Sequence, residues 1–98
     1  PAASWLRQNA PNPFRPSTSI AFGIPDAGNV HLRIFDTAGR LVRTLVDEPR
    51  AAGRWAEPWD GRDAAGRPVA AGVYLYRLEA SGEGGRSVDE TRKMTLLR

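Results

Sequence analysis

The chain contains no cysteine, which removes disulfide staples, thiol nucleophiles and thiolate metal sites together. Its one histidine, His31, falls on the outward face of a strand, where no Ser–His–Asp or histidine–metal partnership can be drawn. No apolar run approaches the ~18 residues that a membrane-crossing helix needs, so stable membrane insertion is not expected. Lys93 is the sole lysine, and the arginines fall singly along the chain from Arg7 to Arg98. The net charge of +3 is therefore not gathered into a basic run, and no nucleic-acid partner is expected. No segment carries a helical period.

What the chain does carry is two-residue alternation broken by turn residues. Thr18 to Ile24 places Ile20, Phe22 and Ile24 on one face and Ser19, Ala21 and Gly23 on the other. Asn29 to Asp36 repeats the pattern, with Val30, Leu32 and Ile34 inward and His31, Arg33 and Phe35 outward. Pro25-Asp-Ala-Gly28 and Asp36-Thr-Ala-Gly39 supply the turns, Gly39 being suited to a positive φ. Leu41 to Val46 is a third strand, and Asp47 to Ala52 reads as a polar connection. Gly53 to Asp60 sets Trp55 and Trp59 on one strand face, with Pro58 marking an edge or bulge.

Gly72 to Ala80 is apolar on both faces and predicts a central strand. Ser87 to Leu97 returns as a final strand, in which Met94 and Leu96 alternate with Thr95 and Leu97. The first residues, 1–16, read as an extended Pro-rich lead-in, with an edge strand at Trp5 to Gln8, because each proline disfavours helix in its predecessor. At 98 residues, the chain is expected to be one domain, all-β: a seven-stranded antiparallel immunoglobulin-like β-sandwich. Its start at Pro1 marks it as an expected piece of a longer protein.

Candidate chemistry is sparse. Asp60 and Asp63 suggest a calcium loop, but a carboxylate near Ala65 and a later bidentate Glu are missing, so turn formation explains them. Glu57, Glu79, Glu83 and Glu90 fall on outward positions and loops, where acidic side chains are ordinary. Trp5, Trp55 and Trp59 present a choice between core packing and sugar stacking. Lys93 could form an isopeptide link with an Asp or with Asn9, Asn12 or Asn29, and would need a nearby carboxylate to shuttle protons. No nucleophile, base and orienting group come together, so neither an enzyme nor a metal or other cofactor is expected.

Five phrases in order carry a family resemblance: Pro11-Asn-Pro-Phe-Arg-Pro-Ser-Thr18, Phe35-Asp-Thr-Ala-Gly-Arg40, Trp59-Asp-Gly61, Gly72-Val-Tyr-Leu-Tyr-Arg-Leu78 and Lys93-Met-Thr-Leu-Leu-Arg98. From Trp5 to Arg98 the chain resembles the C-terminal sorting domains of type IX (Por) secretion substrates. It also resembles the related immunoglobulin-like domain of the flagellar hook-cap protein. The resemblance implies a non-catalytic sorting domain at the end of an exported protein. Its N-terminal cargo would pass through the periplasm to the outside or the cell surface. The implied partners are an outer-membrane translocon and a sortase-like protease.

The family's terminal motif maps onto Lys93, Met94, Leu96, Leu97 and Arg98, the implied recognition residues. The implied structural positions are Pro11, Asn12, Pro13, Phe14, Gly39, Arg40, Trp59, Asp60, Gly61, Gly72, Val73 and Tyr74. A strand ending the chain would leave its edge open for docking. The alternative is a structural or adhesive accessory module, with Trp55 as a possible sugar platform.

Overall fold

A computed structural model describes residues 3–98, so the expectations for Pro1 and Ala2 lie outside the described residues. Seven strands form in chain order: β1 (Trp5–Leu6), β2 (Thr18–Ile24), β3 (Gly28–Phe35), β4 (Leu41–Arg50), β5 (Gly53–Trp59), β6 (Gly72–Gly82) and β7 (Ser87–Leu96). They build a three-stranded sheet, β1-β2-β5, facing a four-stranded sheet, β4-β3-β6-β7. Every strand pair is antiparallel. This is the expected sandwich.

The alternating residues explain why the two sheets stack. Ile20, Phe22 and Ile24 from one sheet meet Val30, Leu32, Ile34, Tyr76 and Leu78 from the other, all fully buried. Burying each large apolar side chain contributes about 1.5–3 kcal/mol. At one end of this core Trp59 packs against Phe14 and Tyr74, with ring centroids 5.7 and 5.5 Å apart.

Three expected strands shift by two residues or more, the others by at most one. β4 continues through Asp47 to Arg50, so the polar connection shrinks to the residues between β4 and β5. Its far end holds a polar cluster where the core closes: Arg50 lies 4.5 Å over the Trp55 ring and contacts Glu57 at 2.6 Å and Glu48 at 2.9 Å. Burial opposes the Arg50 charge, but hydrogen bonds to Glu57 and Glu48 outweigh it and raise the guanidinium pKa.

β1 is shorter than expected. After it the chain leaves the sheet edge, keeps contact with β2 through the Ala10↔Ser19 bridge and hydrogen bonds to Ala21 and Thr18, and crosses to the other sheet. β6 runs two residues further than expected, to Gly82, because Gly28 and Asn29 of β3 pair with Gly82 and Ser81.

The register places the chain's two ends far apart. Trp5 pairs with Gly23, beside the end of the sandwich that carries the connections at 25–27, 51–52 and 83–86. Leu96 pairs with Gly72, at the end formed by the turn at 36–40 and the loop at 60–71. The molecule measures 41 × 22 × 20 Å.

Candidate recognition surface at the C-terminal end

β7 is an edge strand, but its outer edge is not uniformly open. The segment after β1 runs alongside its second half and binds it. Gln8 Nε2 donates to the Lys93 carbonyl at 2.6 Å, and the Thr95 N–H donates to Asn12 Oδ1 at 3.0 Å. The Phe14 N–H donates to the Thr95 carbonyl at 3.0 Å, and the Leu97 N–H to the Phe14 carbonyl at 2.9 Å. Phe14 and Leu96 thereby form a parallel bridge. The expected docking edge from Lys93 to Leu97 is thus already occupied, because the Pro-rich segment supplies the partners that an edge strand lacks.

The same segment is pinned to the core. Tyr76 donates its hydroxyl to the Arg7 carbonyl at 2.7 Å and accepts the Asn9 N–H at 2.9 Å. Burial raises the Tyr76 phenol pKa, with the Asn9 N–H acting against it. Asn9 is buried and donates to Thr18 Oγ1 and the Pro11 carbonyl.

The terminal motif is divided. Met94 and Leu96 are core side chains, whereas Lys93, Leu97 and Arg98 are exposed. Arg98 donates to the Val69 carbonyl, which ties the terminus to the loop at 60–71. No hydrogen bond joins the Lys93 side chain to an asparagine among the described residues, and Asn12 is engaged with Thr95.

The structural motif residues serve the same end. Phe14, Trp59 and Tyr74 are the aromatic cluster described above. The Trp59 Nε1–H donates to the Arg62 carbonyl at 2.9 Å, and the Tyr74 hydroxyl to the Ala70 carbonyl at 2.6 Å. Asp60 accepts the Arg62 N–H at 3.1 Å and lies 3.4 Å from Arg43, so it shapes a turn. Gly61 has φ +74° and packs so close that a Cβ would stand 2.9 Å from the Pro16 carbonyl. Pro11 and Pro13 are exposed beside Asn12, and Gly72 and Val73 open β6, with Val73 exposed.

Two turns here are copies of one pentapeptide, a relation that reading the phrases one by one does not bring out. Asp36-Thr-Ala-Gly-Arg40 and Asp63-Ala-Ala-Gly-Arg67 share the pattern Asp-x-Ala-Gly-Arg. In each, one aspartate oxygen accepts the N–H groups two and four residues on, at 2.9–3.0 Å. The arginine then returns to the other oxygen, at 2.9 Å for Arg40 and 3.4 Å for Arg67. Gly39 and Gly66 take positive φ values of 86° and 81°.

The Arg40 N–H does most to hold the Asp36 carboxyl below its usual range, and the Arg67 N–H does the same for Asp63; partial desolvation opposes both. The Ala64 N–H donates to the Val42 carbonyl at 3.1 Å, which sets the turns side by side. Asp63 is therefore a turn former, and no cluster of potential metal ligands exists among the described residues.

The remaining candidates are occupied. His31 Nε2 lies 2.7 Å from Asp47 across the β3–β4 pair. The guanidinium of Arg50 covers Trp55, and Trp5 lies on Gly23 with Arg7 5.0 Å from its ring.

This sandwich, with its glycine-punctuated strands, finds its counterpart in a family model: residues 14–84 match the FlgD Ig-like domain. The chain belongs to the FlgD Ig-like domain family. Among solved structures, FlgD from Xanthomonas campestris is 25% identical with a TM-score of 0.67, over 96% of this chain and 70% of that one. PorU from Porphyromonas gingivalis is 25% identical with a TM-score of 0.75, over 99% of this chain.

PorZ, a surface component of the type IX secretion system of P. gingivalis, shares the fold at 21% identity and a TM-score of 0.51, over 97% of this chain. The FlgD-like domain spans only 10% of PorU and 11% of PorZ. No protein of curated function matches the chain. The family match stops before Lys93, but the likeness to PorU runs through the terminal strand.

Proposed function

We propose that this FlgD-like domain is a non-catalytic C-terminal sorting domain, directing an attached N-terminal cargo across the outer membrane through the type IX translocon. The observation that carries this reading is the divided terminal motif. Met94 and Leu96 lock the last strand into the core, while Lys93, Leu97 and Arg98 stay on display. A receptor would read these three side chains on a folded domain, with the cargo joined at the opposite end of the sandwich. The likeness to PorU over nearly the whole chain and to the type IX component PorZ supports the setting. The cargo would reach the medium or cell surface after crossing the periplasm, and a sortase-like protease is the second partner. Nucleic acid and stable membrane insertion have no part in it.

The test is a reporter carrying an N-terminal export signal and this domain, expressed in a type IX-competent bacterium and in its translocon mutant. Export from the first and periplasmic retention in the second is the expected result. Lys93→Glu with Arg98→Glu should abolish export without unfolding the domain, since both side chains are exposed. Retention of a folded domain in both strains would overturn the reading.

A further inference from the structure

Two independent asymmetries converge on the C-terminal end of the sandwich. The first is apolar. Leu41, Val73 and Leu97 are the exposed large hydrophobic residues, at 57%, 42% and 37% exposure. They start β4, start β6 and follow β7, so all three lie at this end. Register joins them through the half-buried Phe35 and Leu75: Leu41 pairs with Phe35, Phe35 with Leu75, and Val73 with Thr95. The patch occupies the outer face of the larger sheet, which no other strand covers among the described residues.

The second asymmetry is charge. Arg15, the turn arginines Arg40 and Arg67, Arg43, Arg62, Lys93 and Arg98 lie at this end with only Asp36, Asp60 and Asp63. Seven cations against three carboxylates give a formal +4 there. The rest of the chain holds seven cations and eight carboxylates, a formal −1, so the net +3 arises wholly at one end. Charges scattered along the sequence are gathered by the fold.

We propose that this end is a composite docking surface whose partner is a protein with an apolar depression rimmed by carboxylates. The proposal rests on the sorting reading and specifies the chemistry of the receiving surface. Apolar side chains sharing one end with fixed charges suit a protein interface, where an apolar centre is desolvated and charged groups set orientation. Arg40, Arg43 and Arg67 are held by Asp36, Asp60 and Asp63, so their positions are set before a partner arrives. A second copy is a poor occupant, because two ends of +4 repel. A lipid surface would match the charge but gains nothing from fixed positions.

The test uses Leu41→Asp and Val73→Asp, both exposed and outside the terminal motif in sequence, with two strands between Leu41 and β7. In the export assay above, each should reduce reporter export about tenfold or more, with the melting temperature nearly unchanged. Glu83→Lys, at the opposite end, should export normally. Loss of export in Lys93→Glu/Arg98→Glu with normal export in Leu41→Asp and Val73→Asp would overturn the composite surface and leave the sorting reading standing. Normal export in all of these variants would remove both. Binding of the wild-type domain to phosphatidylglycerol vesicles that Leu41→Asp abolishes, or a Leu41-dependent dimer in sedimentation, would replace the protein partner and overturn the proposal.

Discussion

From Ser87 to Thr91 no segment pairs with the outer edge of β7 among the described residues, whereas from Lys93 to Leu97 it is filled by Gln8, Asn12 and Phe14. The open half protects itself with charge: Asp89 pairs with Arg77 at 2.8 Å, and Glu90 stands beside it. The closed half relies on hydrogen bonds and a buried ring. Strand ends ordinarily fray, yet here the last residues of the strand are the better anchored ones. A chain terminus becomes a fixed feature when a distant segment completes its ladder.

The sharpest way to break this contrast is Phe14→Ala. It empties a buried ring site against Trp59 and loosens the parallel bridge, at an expected cost of about 3–5 kcal/mol. Urea unfolding measures the loss, and hydrogen exchange at the Leu97 amide should rise towards that of Thr91. Tyr76→Phe keeps the ring but leaves the Asn9 N–H without its acceptor, for about 1–3 kcal/mol. An unchanged midpoint would mean that the lead-in segment needs no anchor in the core. Asn12→Ala removes one cap from an exposed backbone N–H and should cost about 0.5–1.5 kcal/mol. Its signature is local: faster exchange at Thr95, with Asp89 and Thr91 unmoved.

Acid should separate the halves with the smallest effect. The hydrogen bond from Arg77, against partial desolvation, holds the Asp89 pKa below its ordinary 3.8. Because the native value is the lower one, the stabilisation is present above pH 3.8 and disappears as pH falls through the native pKa. Thermal midpoints from neutral to strongly acid pH should fall less steeply in Asp89→Asn than in the wild type. The Gln8, Asn12 and Phe14 contacts contain no group that titrates in this range, so equal acid sensitivity at Thr95 and Asp89 would defeat the contrast.

The strands were legible where alternation is local. β2 matches its expected limits, and β3 differs by one residue at either end, because Ile20 to Ile24 and Val30 to Ile34 signal their faces without help. Alternation alone ends β4 early, at Val46, because its last inward positions hold Glu48 and Arg50, a polar cluster that depends on Glu57 and Trp55 from the facing sheet. No pattern along β4 reveals a partner supplied by β5.

The candidate site was half legible in the same sense. Alternation already separates Met94 and Leu96 from their neighbours, but the sealing of the terminal edge joins residues more than 80 apart. The paired Asp-x-Ala-Gly-Arg turns were written openly in the sequence, yet their adjacency comes from the Ala64–Val42 hydrogen bond.

The placement of the chain's two ends has a mechanical consequence. The lead-in segment and β7 run in the same direction, side by side, from the end near Trp5 to the end at Leu97. Tension applied between Trp5 and Leu97 would slide one segment along the other. The bonds from Gln8, Asn12 and Phe14 would then bear load together rather than unzip in sequence. Pulled between Trp5 and Leu97, the domain is loaded in shear, the direction in which this joint is strongest.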